Sequence, residues 1–210
     1  MQDIRNVVLV HGLWVPALVM TLLGARLARG ELRCHRFDYG GRGRPFAANV
    51  DALARFARSI GPAHFVGHSL GGVVTLHALL ARPDVAVGNV VLLGTPVRGC
   101  FSGRRLSRHR VGRWMLGESE SIWREHPILR WTRHEPLGVI AGSMPVGLGR
   151  AMGRLPGPND GVVCVEETAV DGMSEHIVLA VGHSAMLVSA RVAVQTAAFL
   201  REGRFRHDAD

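Results

Sequence analysis

Short apolar runs rich in Val and Leu alternate along this chain with stretches whose apolar residues return every three or four positions. The first pattern fits strands buried on both faces and the second fits amphipathic helices, so the alternation predicts a parallel sheet covered by helices on both sides. Strands are expected at Asn6–Val10, Leu32–Phe37, Ala63–Gly67, Val87–Leu93, Leu137–Ala141 and Ile177–Val181. Helices are expected at Ala17–Arg29, Asn49–Ile60, Leu70–Ala81 and Ala185–Arg201, the last with Val188, Val192, Phe199 and Leu200 on its inner face. No strand claims the long excursion from Val97 to Pro136, and the polar tail Arg204 to Asp210 is expected to fray. The fold class is α/β, with a mostly parallel central sheet of about six strands.

Composition narrows this only slightly. With 210 residues, 47% of them hydrophobic and 20% charged, the chain is too apolar for intrinsic disorder and is expected to form a single domain over 1–210. No apolar run reaches the length needed to span a bilayer, and the longest are broken by Gly, Pro or Arg. The start, Met1 to Asn6, has no basic segment followed by a long apolar one, so no signal peptide is expected. Cys34, Cys100 and Cys164 are odd in number and form no Cys-x-x-Cys pair, which argues against a disulfide framework or a zinc site and for a reducing cytoplasm. The net charge of +8, carried on 25 arginines and no lysine, permits an anionic partner without requiring one, and no nucleic-acid motif accompanies it.

Chemistry concentrates at Gly67-His68-Ser69-Leu70-Gly71, set between an expected strand and an expected helix. A G-x-S-x-G turn in that context lifts the serine hydroxyl clear of the sheet, at the cost of a strained backbone, where it can attack a carbonyl. The alternative is an ordinary tight turn with a solvated serine, which the flanking elements make the weaker reading. A serine needs a base at the same sheet edge, and His183 follows the last strand at its C-terminal end. His176 precedes that strand and is expected at the opposite edge. His11 is at the correct edge, whereas His35, His64 and His77 are expected at the surface and His68 in elbow packing. For the acid that orients the base, Asp160 beside Pro158 and Gly161 is favoured over Glu166, Glu167 and Asp171, although Pro-Asn-Asp-Gly is also good turn chemistry.

Four motifs in order, His11-Gly12-Leu13 after the first strand, the elbow at Ser69, Pro158-Asn159-Asp160-Gly161-Val162-Val163, and Gly182-His183-Ser184, make the chain resemble the α/β-hydrolase superfamily. Within it, the chain is similar to small bacterial lipases and esterases that lack the first strands of the full sheet. The resemblance implies a triad of Ser69, Asp160 and His183, and an oxyanion hole made by the amides of Leu13 and Leu70. Trp14 then lines the acyl pocket or joins the core. Gly40-Gly41-Arg42-Gly43-Arg44 is expected to shape a loop beside the site, since it lacks the spacing of a phosphate-binding loop. The implied activity is hydrolysis of small-molecule or lipid esters through an acyl-enzyme, with no cofactor and no metal. A thioesterase is the second enzyme reading, and a non-catalytic membrane or anion binder on the same fold is a third.

The excursion is expected to form a cap. Residues 97–135 hold nine Arg against four Glu and three of the four Trp, a combination that also suits contact with an anionic membrane. Helices that pack their Trp inward and solvate their Arg are the more ordinary outcome.

Overall fold

The computed structural model describes residues 4–13, 17–39, 44–116, 122, 129–146 and 155–207. In chain order the elements are β1 (Asn6–Val10), α1 (Thr21–Ala28, entered through a 3-10 turn at Ala17–Met20), β2 (Arg33–Phe37), α2 (Phe46–Ile60), β3 (Ala63–His68), α3 (Leu70–Ala81) and β4 (Val87–Leu93). Then come α4 (Phe101–Ser107), α5 (Arg110–Leu116), β5 (Leu137–Gly142), 3-10 turns at Val165–Thr168 and Ser184–Leu187, β6 (Glu175–Leu179) and α6 (Ala190–Glu202). The strands form one six-stranded sheet in the order β2-β1-β3-β4-β5-β6, and every pairing is parallel.

The two-residue period of the strands sorts the core into two layers. Val8, Val10, Phe65, Val90, Leu92 and Val139 face α2 and α3, while Val7, Leu9, Val66, Val91, Leu93 and Ile140 face α1 and α6. Val7 to Val10 are all fully buried, which is why β1 reads as an unbroken apolar run. The edge strands differ. β2 and β6 carry Arg33, His35, Arg36, Glu175 and His176, polar residues that a sheet edge accommodates and that discourage pairing with another chain.

That edge composition displaces one expected element. β6 runs over Glu175–Leu179, two residues ahead of the apolar run Ile177–Val181, because Glu175 and His176 pair with Gly138 and Val139. The last helix is also split. Ser189 caps α6 by accepting the Val192 amide, so Val188 falls at a junction and is half exposed instead of inward. His64 is buried, not at the surface; its Nδ1 accepts the Asn89 amide and its Nε2–H donates to the Ile4 carbonyl. The described part of the tail does not fray, because Phe205 packs on Phe199 and its amide donates to Glu175, while Arg206 and Gln195 exchange two hydrogen bonds.

The excursion after β4 is anchored as well as exposed. Val97, Cys100, Leu116, Ile122 and Trp131 join the α2/α3 side of the core. Arg133 is drawn in with Glu135 and donates to the Leu79 and Val85 carbonyls. Arg104, Arg105, Arg108, Arg110 and Arg113 are exposed, as is Trp114. No helix among the described residues is long and apolar enough to cross a membrane.

Candidate active site

Between β3 and α3 the chain reverses direction in a single residue, Ser69, which takes φ 54° and ψ −127°. A non-glycine residue there costs on the order of 1–3 kcal/mol, so the surroundings must hold it. The Ser69 amide donates to the Leu93 carbonyl at 2.9 Å and its carbonyl accepts the Gly72 amide at 3.0 Å. Gly71 is needed because a Cβ at that position would lie 2.2 Å from the His11 carbonyl oxygen. The strand end of β1 therefore presses against the start of α3.

The loops after β5 and β6 bring Asp160 and His183 into direct contact. Nδ1 of His183 donates to Oδ2 of Asp160 at 2.7 Å, and the His183 amide donates to the Asp160 carbonyl at 2.9 Å. The other carboxylate oxygen, Oδ1, accepts the amides of Val162 and Val163 at 2.9 and 2.7 Å. Asp160 is 1% exposed and His183 8%, so this is a dry, oriented pair. With Nδ1 carrying its proton toward the carboxylate, Nε2 of neutral His183 is left as the basic nitrogen.

Contacts link this pair to the elbow. His68, the residue before Ser69, donates from Nε2 to the His183 carbonyl at 3.1 Å, and the two rings lie 4.8 Å apart. Burial, and then the neighbouring His183, holds His68 down at about 3, so it stays neutral and adds no competing positive charge. A Cβ at Gly94, the residue after β4, would stand 3.0 Å from Asp160 Oδ2 and 3.1 Å from His183 Nδ1. The ends of β3, β4, β5 and β6 thus converge on one spot at the C-terminal edge of the sheet, where sites in such sheets form.

The turn after β1 closes the other side. A Cβ at Gly12 would lie 2.9 Å from that of Ser69, so the His11-Gly12-Leu13 backbone passes directly over the elbow. The Leu13 amide has no hydrogen-bond partner among the described residues. Leu70 opens α3, so its amide has no intrahelical acceptor and lies at the positive end of the helix dipole. Trp14 and the loop Gly40 to Gly43 lie outside the described residues.

Two residues that sequence reasoning passed over hold this turn. Tyr39 donates its hydroxyl to the His11 carbonyl at 2.8 Å and stacks on the His11 ring at 4.5 Å. The His11 ring also bonds the Gly12 carbonyl at 2.8 Å and faces Asp38 Oδ1 at 3.2 Å. Their signal was positional: both follow β2 directly, at the same sheet edge.

The rival acids have other partners. Glu167 is buried and pushed up by that burial, accepting the Phe101 amide at 2.6 Å and the Cys164 amide at 2.9 Å. Asp171 pairs with Arg98 at the surface. His176 bonds Thr168 from the N-terminal half of β6, away from the converging strand ends.

The family model described as "Alpha/beta hydrolase family" matches residues 7–193. The fold is similar to the mature Bacillus licheniformis lipase BlEst2, with 16% identity, TM-score 0.77 and coverage of 95% of this chain and 91% of that one. In the propeptide form of that lipase the TM-score is 0.80 at 16% identity, with 100% of this chain and 53% of that one covered, so this chain spans about half its length. The metagenomic carboxyl esterase MGS0156 aligns with TM-score 0.66 and 17% identity over 89% of this chain and 66% of that one. No curated protein matches by sequence.

Proposed function

The chain belongs to the alpha/beta hydrolase family, and from that premise we propose that it is a serine hydrolase of carboxylic esters, with Ser69, His183 and Asp160 as its triad. The observation that carries the reading is the buried 2.7 Å Asp160–His183 bond beside the strained Ser69 turn. The similarity to a lipase and a carboxyl esterase supports an ester substrate, small or lipid.

Nε2 of His183 takes the Ser69 proton as the oxygen attacks the ester carbonyl, and the carbonyl π electrons move onto its oxygen. The resulting oxyanion is held by the Leu13 and Leu70 amides, which cost little to reorganise because the β1 turn and α3 fix them in advance. Asp160 holds His183 in the tautomer that leaves Nε2 free and stabilises the imidazolium that forms. The imidazolium then gives its proton to the departing alkoxide, leaving an acyl group on Ser69. Water, deprotonated by the same Nε2, attacks that acyl group in a second tetrahedral step and releases the acid, with Ser69 regaining its proton.

Residues 97–136 serve as the cap in this reading, and the exposed arginines 104, 105, 108, 110 and 113 face an anionic membrane. Sedimentation with phosphatidylglycerol vesicles should weaken in Arg104→Glu with Arg105→Glu, and equal sedimentation of the wild type and this variant removes the membrane role. The free thiols of Cys34, Cys100 and Cys164 support a reducing, cytoplasmic setting. The hydrolase reading is tested with a fluorophosphonate probe and a graded panel of esters and thioesters. One adduct should form on the wild type and none on Ser69→Ala, with turnover of esters. Labelling of Ser69→Ala equal to wild type, or turnover by it, overturns the assignment; thioester turnover without ester turnover moves the substrate class.

A further inference from the structure

On the α1/α6 side of the sheet, away from the elbow, these two helices leave a cleft of about 360 Å³ between them. Its floor is Leu27, Ala190, Ala193, Val194 and Ala197, and its rim is Arg26, Arg29, Arg201 and Arg206. Alanine at 190, 193 and 197 gives one face of α6 side chains too short to fill the space against α1. The cleft exists because of that choice, and its floor is apolar.

Among the described residues the rim is cationic without a counter-charge. No carboxylate pairs with any of the four arginines among the described residues; the nearby Glu31 and Glu202 are engaged by Arg5 and Arg204. Neutral groups fix them instead. Arg26 donates to the Val188 carbonyl, and Arg201 donates from Nη2 to the Gly30 carbonyl at 2.9 Å. The backbone of Arg206 is clamped by Gln195, which holds the tail over the end of the cleft. The Arg29 side chain makes no hydrogen bond or ion pair among the described residues. A guanidinium has five N–H donors, so most donors on this rim are unspent.

The helix ends do not balance this charge. Arg26 and Arg201 sit in the last turns of α1 and α6, where each macrodipole supplies about half a negative charge. Two such ends offset about one of four positive charges. Guanidinium groups are weakly hydrated and match phosphate oxygens in bidentate geometry, so a site that pairs them with an apolar floor suits an anion joined to a hydrocarbon group.

We propose that the α1/α6 cleft is a binding site for an organic phosphate, its oxygens held by the arginine rim and its apolar part laid on the alanine floor. The phosphate belongs either to a soluble molecule or to a lipid headgroup, and the chemistry of recognition is the same. The site is independent of the hydrolytic reading, because none of its residues belongs to the elbow or the loops around it.

Octyl phosphate below its micelle concentration is the soluble probe, titrated into the full chain by calorimetry, with octyl glucoside as the uncharged control and inorganic phosphate as competitor. Vesicles of phosphatidylcholine with and without phosphatidylglycerol form the lipid arm, read by sedimentation. Arg29→Glu with Arg206→Glu removes rim charges whose side chains make no hydrogen bond or ion pair among the described residues. Arg44→Glu with Arg55→Glu makes the same change in net charge on the α2 side of the molecule. We expect saturable binding of one octyl phosphate per chain, or sedimentation with phosphatidylglycerol vesicles that octyl phosphate reverses. The rim variant should weaken it by at least about tenfold while the control variant matches wild type. Saturation in solution assigns a soluble phosphate, and binding confined to the anionic vesicles assigns a headgroup. Equal loss in both variants, octyl glucoside binding as well as octyl phosphate, or no saturable binding in either arm overturns the proposal.

Discussion

Asp160→Asn should disable the protein without unfolding it, and the geometry says why. Oδ1 accepts two backbone amides, from Val162 and Val163, whereas Oδ2 accepts one N–H from His183. Asparagine offers one acceptor oxygen and one NH2 donor, so one of these sets must face the donor. Turning the NH2 toward the two amides leaves two N–H groups in a buried site without an acceptor, at roughly 1–3 kcal/mol each. Turning it toward His183 requires only that the ring move its proton to Nε2 and accept at Nδ1. The second arrangement is favoured by about 2–6 kcal/mol, and it fills the one nitrogen that could take the Ser69 proton. A ring in the wrong tautomer costs about 10⁴ in kcat in serine proteases, or about 5 kcal/mol of transition-state stabilisation. The assay is kcat on a soluble nitrophenyl ester, with Tm and the 15N shifts of the His183 ring measured on the same sample. Protonated Nε2, a nearly unchanged Tm and a loss of about three to four orders of magnitude are expected. A variant within about tenfold of wild type, or a ring that keeps its Nδ1 proton, refutes the tautomer argument.

Gly94→Ala should lower both Tm and kcat, because φ +51° strains any side chain and the new Cβ crowds Asp160 and His183; the strain alone predicts a Tm about 2 to 8 °C lower, which calorimetry would detect. Glu167→Ala removes the acceptor for the Phe101 and Cys164 amides, so urea unfolding should show a loss of about 2–6 kcal/mol while the folded variant keeps far more activity than Asp160→Asn. His68 is held at about 3, well below its ordinary 6.5, so below pH 6.5 the unfolded chain binds a proton that the folded chain refuses, and stability falls as pH falls toward 3. That share of the loss should reach about 2 kcal/mol by pH 5 and be missing from His68→Gln; identical pH slopes in urea unfolding for the two proteins would remove His68 as its source.

The central strands were legible because β3 and β5 are buried throughout and β1 and β4 at all but their first residues, and a run such as Val7 to Val10 has no polar position to confuse it. The same reading displaced β6, since an edge strand is fixed by its ladder and not by apolarity: Glu175 and His176 pair with β5 although their residue types argue against a strand. Ser69, Asp160 and His183, the residues proposed for the triad, could be named because each carries a local motif: Ser69 directly after β3, His183 shortly after β6 and Asp160 in the long loop that follows β5. Tyr39 and Asp38 could not, because what they do depends on β2 lying next to β1 in space, a pairing between segments separated by a whole helix. His64 escaped for a related reason. A histidine beside a buried phenylalanine gives no sign that Ile4 and Asn89 stand ready to accept and donate at its two nitrogens. Local periodicity registers which face of an element is dry; it holds no information about which distant backbone group will satisfy a buried polar atom. The hydrogen bonds that tune the site, as opposed to the residues proposed to do its chemistry, therefore had to be read from the folded chain.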